Sequence, residues 1–158
     1  MTSHLTHVPA PDGIAPSPQY SHVVWGTGRF VAISGQCALD AGGAVVGVGD
    51  PVAQARQVFA NLGRCLAAAG AGFADVVKLT YFVTDVAHLP AVRSARDEAF
   101  GTAFGTAFGT ASGTTPLPAS SAVQVSALVR PELLVEIEAF ALVPTVADAS
   151  PLGAESGQ

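Results

Sequence analysis

Charge is scarce in this chain. Of its 158 residues, 12% are Asp, Glu, Lys or Arg, and the seven basic residues are outnumbered by twelve acids. A nucleic-acid binder releases counterions from phosphates through a stripe of basic side chains. The Lys and Arg here are scattered and the net charge is −5, so nucleic acid fits poorly as a partner. Cysteine is also rare. Cys37 and Cys65 are too few for a disulfide framework, and no CxxC is present. A reducing, cytoplasmic setting suits that usage. No apolar run reaches the ~18 residues that a membrane span needs, so no membrane partner is expected. Residues 1–19 contain His4 and His7 but no basic segment followed by an apolar one, so no secretory signal is expected.

The usual catalytic signatures are missing as well. GTGRFV at 26–31 lacks the third glycine of a dinucleotide fingerprint and falls between two strand-like runs. There is no Walker loop and no GxSxG. His4, His7, His22 and His88 show no paired metal-ligand spacing, so no metal is expected. His4, His7 and His88 read as arm or surface histidines.

What the chain does have is apolar content: 49% of its residues are hydrophobic. One domain with one core accounts for this length. Residues 1–17 are rich in proline and read as an irregular arm, residues 18–144 as the domain, and 145–158 as a disordered tail. Ser21 to Trp25 and Phe30 to Ser34 are strand-like, and Gly26-Thr27-Gly28 between them predicts a hairpin. Asp50 followed by Pro51 predicts a helix start. Ala55, Val58, Phe59, Leu62, Cys65, Leu66 and Ala69 continue it at helical spacing, with Gln57, Asn61 and Arg64 opposite and Gly70 as the stop. Val76 to Thr84 reads as a strand. Pro90 opens a second helix through Val92, Ala95, Ala99 and Phe100. FGTA then occurs three times in tandem from Phe100 to Ala111. Glycine costs roughly 1 kcal/mol in a helix interior, so the repeat predicts a frayed helix end running into a loop. Ser120 to Ala127 and Leu133 to Leu142 are the last strands.

The expected fold is α+β, in the order β-β-α-β-α-β-β, with two helices on one face of a mixed sheet. Alternation divides the last strand. Val135, Ile137, Ala139 and Ala141 form an apolar face that should meet the helices. Leu134, Glu136, Glu138, Phe140 and Leu142 form the other, which mixes acids with large apolar groups. A second copy of the chain would cover it.

Glu136 and Glu138 are the residues that could carry chemistry. Mutual repulsion and desolvation both raise a carboxyl pKa toward the range of a general acid or base. An interface acid held by a salt bridge or hydrogen bond is an equally good reading, and the residues alone leave both open. Cys37, at a strand end, reads as a half-buried thiol rather than a nucleophile, since no basic group near it in sequence would lower its pKa. Cys65 falls on the apolar helix stripe.

Several segments in order resemble the RidA/YjgF imine-deaminase family. They are PQYSHVV at 18–24, FVAISGQ at 30–36, QARQVFANL at 54–62, AAAGAGFADVVKLTYFVTD at 67–85, PASSAVQVSAL at 118–128 and VEIEAFAL at 135–142. The resemblance implies the RidA/YjgF (chorismate-mutase-like) fold and a homotrimer whose sheets line a central barrel, with ligand clefts between subunits. It implies hydrolysis of enamines or imines without a cofactor. By position it places Glu136 as the water-positioning catalytic residue and Tyr20 and Ser34 beside the ligand. Arg93 stands where many relatives carry asparagine, and His22 where glutamine is frequent. The family's carboxylate-clamping arginine would fall at Ser120, next to Ser121. A hydroxyl cannot replace a bidentate guanidinium clamp. The resemblance therefore implies a divergent member whose substrate is not a simple 2-imino acid. Either another cation, Arg93 before Arg130, holds the acid, or the substrate is a neutral or aromatic imine. A non-catalytic ligand-binding homotrimer is the alternative, and an endoribonuclease a remote one.

Overall fold

Asp50 and Pro51 start the longest helix among the described residues. In this computed structural model, which describes residues 4–104 and 116–145, the Asp50 carboxylate accepts from the backbone N–H of Val52 at 3.0 Å and of Ala53 at 3.1 Å. Helix α1 spans Pro51–Ala68 and buries Gln54, Ala55, Val58, Phe59, Leu62 and Leu66. The second helix, α2 (Leu89–Phe104), is preceded by a short 3-10 turn at Val86–His88. It runs through the first FGTA unit. The expected loop over residues 105–115 and the expected tail from residue 146 onward lie outside the described residues.

The strands are β1 (Leu5–Val8), β2 (Val23–Gly26), β3 (Arg29–Cys37), β4 (Val76–Val83), β5 (Ala119–Gln124) and β6 (Val135–Val143). From β2 onward the order is the expected β-β-α-β-α-β-β. Four strands form one mixed sheet in the order β3-β6-β4-β5. The pairs β3–β6 and β4–β6 are antiparallel, while β4 and β5, joined through α2, run parallel. Both helices cover one face of this sheet. There Val135, Ile137, Ala139 and Ala141 are buried with Leu79, Val83 and the apolar stripe of α1, as the alternation predicted.

Three expectations are corrected. The hairpin between residues 21 and 34 does not form, because β2 pairs with β1 in a separate two-stranded sheet and β3 pairs with β6. The favoured two-residue hairpin turns need a positive φ at the first central residue. Thr27 does not have one, and Gly28, at φ +146°, instead passes tight against the Val143 carbonyl. Within the expected irregular arm, Leu5–Val8 is a strand, held by the β2 ladder and by the burial of Leu5. His4 and His7 are accordingly half-buried, and their rings hydrogen-bond the carbonyls of Leu142 (2.7 Å) and Leu117 (3.1 Å). His88 is half-buried too, so none of the three is a free surface group.

Candidate functional site

Glu136 sits on β6 with its side chain on the sheet face away from the helices. The β3–β6 register shifts between Ile33 and Gln36, so that Cys37 lies opposite Glu136. Gly35 falls in that irregularity. Any Cβ there would collide with the Glu136 carboxylate, so glycine is what lets the acid lie against the β3 backbone. Cys37 donates from Sγ to Glu136 Oε2 at 3.5 Å. Burial first, then the negative charge of Glu136 and this hydrogen bond, push the Cys37 thiol up to about 12, against a smaller opposing effect of Arg130. Cys37 is thus half-buried and protonated, as its surroundings in sequence predicted.

These residues line a cleft of about 810 Å³. Its second wall is the polar side of α1. Gln57 and Asn61 donate to the Leu39 carbonyl at 3.4 and 2.9 Å, and Asn61 also donates to the Cys37 carbonyl at 3.1 Å. Arg64 donates to Asn61 Oδ1 at 2.8 Å and faces the same cleft. Sequence reading placed Gln57, Asn61 and Arg64 opposite the core without giving them a role. Cys65, on the expected core stripe, is half-buried at the cleft wall.

A second group of sequence-selected residues gathers elsewhere. Tyr20, Arg93 and Ser120 line a cavity of about 60 Å³ between α2 and the β4–β5 pair, together with Gln19, Tyr81 and Arg96. His22 packs edge-on to Tyr20, with ring centroids 5.1 Å apart, and its Nε2 lies 2.9 Å from the Ala15 carbonyl. Ser34 and Ser121 lie in neither space. Both are exposed, and Ser121 accepts from Lys78 Nζ at 2.7 Å. Within one chain, then, Glu136 is separate from the group around Tyr20, Arg93 and Ser120. Among the described residues no cluster of His, Cys, Asp and Glu could hold a metal ion, and no helix is long and apolar enough to cross a membrane.

Two members of the small cavity, Tyr81 and Arg96, were not selected from sequence. Arg96 has a readable signal, since Val92, Arg96 and Phe100 follow one another at i, i+4 spacing on the face that α2 buries. Tyr81 alternates with Leu79 and Val83 on β4 and reads as ordinary core.

Comparisons with known proteins find relatives along most of the chain. Residues 11–143 match the family model described as Endoribonuclease L-PSP. The chain is 37% identical over 133 residues to the 2-iminobutanoate/2-iminopropanoate deaminase of Mus musculus, covering 84% of this chain and 85% of that one. It is 36% identical over 132 residues to a RutC family protein of Synechocystis, covering 83% of this chain and 91% of the relative. Among solved structures, the Rid-family protein YyfB of Yersinia pestis superposes with a TM-score of 0.72 at 36% identity, covering 89% of this chain and 99% of that chain.

Proposed function

Because the chain belongs to the RidA/YjgF family, whose model carries the name Endoribonuclease L-PSP, we propose that it is a cofactor-independent enamine/imine hydrolase acting on a reactive small molecule. The observation that carries this reading is the Glu136 carboxylate, held at the β3–β6 irregularity and facing an open cleft. Relatives from Capra hircus, Mus musculus, Bos taurus and Homo sapiens bear the name 2-iminobutanoate/2-iminopropanoate deaminase at 34%, 37%, 33% and 32% identity. In the reaction, water adds to the C=N carbon, the C–N bond breaks, and the products are a carbonyl compound and ammonia. Glu136 takes the proton from the attacking water and returns it to the departing nitrogen. Ser120, where the resemblance implies an arginine clamp, sets the substrate apart from a simple 2-imino acid.

The functional unit in this reading is a homotrimer, with the site in clefts between subunits. Such an arrangement accounts for the separation within one chain, since Glu136 of one subunit can meet the Tyr20, Arg93 and Ser120 wall of its neighbour. The same separation would also suit a non-catalytic ligand-binding trimer. Endoribonuclease activity is disfavoured by the net charge of −5.

The test is ammonia release from a panel of imines in which neutral and aromatic imines stand beside the 2-imino acids generated by an amino-acid oxidase. Wild type should accelerate release, and Glu136→Gln should lower kcat by about 100-fold or more, the usual contribution of general acid–base catalysis. Full turnover by Glu136→Gln would remove the assigned role. Ligand-raised melting temperature with no turnover of any imine would favour the binding trimer.

A further inference from the structure

Glu136 is held from β3, and β3 is irregular where it does so. Its ladder with β6 is interrupted between Ile33 and Gln36. Gly35, inside the interruption, leaves room for the carboxylate, and Cys37 donates to Oε2 at 3.5 Å. The strand ends at Cys37 and the chain turns at once, with the Leu39 N–H donating to the Cys37 carbonyl at 2.8 Å. Residues at such a bulge fall outside the ladder, so the strand end needs a hold other than β6.

That hold comes from Asn61 on α1. Its Nδ2 donates to the carbonyls of Cys37 at 3.1 Å and Leu39 at 2.9 Å. Its Oδ1 accepts from Gln57 Nε2 at 3.0 Å and from Arg64 Nη1 at 2.8 Å. A side-chain amide has two N–H donors and an oxygen with two lone pairs, so this one is fully used. Its orientation is determinate as well. Two carbonyls can meet only the NH2 group, and a guanidinium can meet only the oxygen. Gln57 and Arg64 lie one turn before and one turn after Asn61, so the helix itself sets the plane of the amide. Val58 and Leu62 are fully buried and anchor this part of α1 in the core. Asn61 lines the same cleft as Glu136, yet it has no spare polar atom to offer a ligand there.

We propose that Asn61 is a positioning residue: it clamps the end of β3 to α1 and so holds the Cys37 Sγ–H on the Glu136 carboxylate, with Gln57 and Arg64 holding Asn61 in turn. The connection runs from a rigid helix through one amide to a strand end, and from there to the acid. It deepens the hydrolase reading, on which it rests for any effect on turnover. Asn61 acts through β3 and offers the substrate no hydrogen bond. On an imine that the wild type turns over, Asn61→Ala should therefore lower kcat about tenfold while KM stays within about twofold.

The test is alkylation of Cys37 by iodoacetamide, followed at that residue by peptide mass spectrometry, in wild type, Glu136→Gln, Asn61→Ala and the double variant. The Glu136 charge and hydrogen bond both oppose the thiolate. Removing them should speed alkylation about tenfold, the effect of about one pKa unit. With Asn61→Ala the strand end is released, and the same Glu136→Gln change should then alter the rate by less than about twofold. A merely structural role would expose Cys37 equally with and without the acid; the two effects would multiply and the tenfold would survive. That result overturns the positioning role, as does a Glu136→Gln effect absent from the start. Should Asn61→Ala not fold, the variant Gln57→Ala with Arg64→Ala strips both donors from Oδ1 and lets the amide turn over in place. An undiminished Glu136→Gln effect in that background overturns the proposal equally. The two readings separate cleanly. Full turnover by Glu136→Gln would remove the hydrolase role and leave the alkylation result standing, and multiplying alkylation rates would remove the clamp and leave the role of Glu136 standing.

Discussion

Glu136 makes Cys37 a poorer nucleophile than an isolated cysteine. A carboxylate next to a thiol disfavours the thiolate, and here burial and a hydrogen bond act in the same direction. With the thiol pushed up to about 12, little of it is thiolate at pH 8. Alkylation of Cys37 by iodoacetamide should therefore be slow at pH 8. It should accelerate in Glu136→Gln, which removes the repelling charge while burial still opposes ionisation. Identical pH–rate profiles for wild type and variant would break the proposed coupling.

Among the elements, α1 carries a feature that its apolar stripe conceals. Gln54 lies in line with Val58 and Leu62 and is fully buried. Its amide donates to the carbonyls of Gly47 (3.1 Å) and Glu132 (2.7 Å) and accepts from the Leu134 N–H at 2.8 Å. It thus ties the helix to the segments before itself and before β6. Gln54→Ala would strand three backbone groups and should cost about 2–4 kcal/mol in urea unfolding. A loss under about 1 kcal/mol would show that water replaces the amide. The start of α1 was legible because Asp50 and Pro51 act within four residues of each other. The two faces of β6 were legible because strand period is a local property. The partner of β2 was not, since the choice between β1 and β3 is made by contacts with residues far along the chain. Gln54 and Tyr81 were hidden for the same reason. Each sits where local pattern asks for a core residue, and its polar atoms find partners only in the folded chain.

For the whole molecule, the open sheet face is the dominant unsatisfied surface. Phe30 is 62% exposed and touches Phe140, with ring centroids 5.5 Å apart, and Val123 on β5 is exposed as well. Apolar groups on this scale, in a chain with so few charges, are what an assembly of copies would bury. Sedimentation should give three chain masses for wild type, and Phe140→Asp on this face should release monomers that keep their helical circular dichroism. A wild-type monomer would remove the trimer and, with it, the shared cleft. A trimer indifferent to Phe140→Asp would move the interface to another surface.

The strand order carries a consequence for how this protein is made. In β3-β6-β4-β5, the two earlier strands β3 and β4 do not touch; each is bonded to β6, the last described strand to leave the ribosome. Until residues 135–143 are available, β3 has no ladder, and the face that α1 covers lacks its middle row. Such distant pairings are slow to form and leave apolar surface open in the meantime. Glu136 arrives on the very strand that closes the sheet. A partly folded chain therefore has no acid in place, and the nascent protein acquires its candidate chemistry in the same step that completes its architecture.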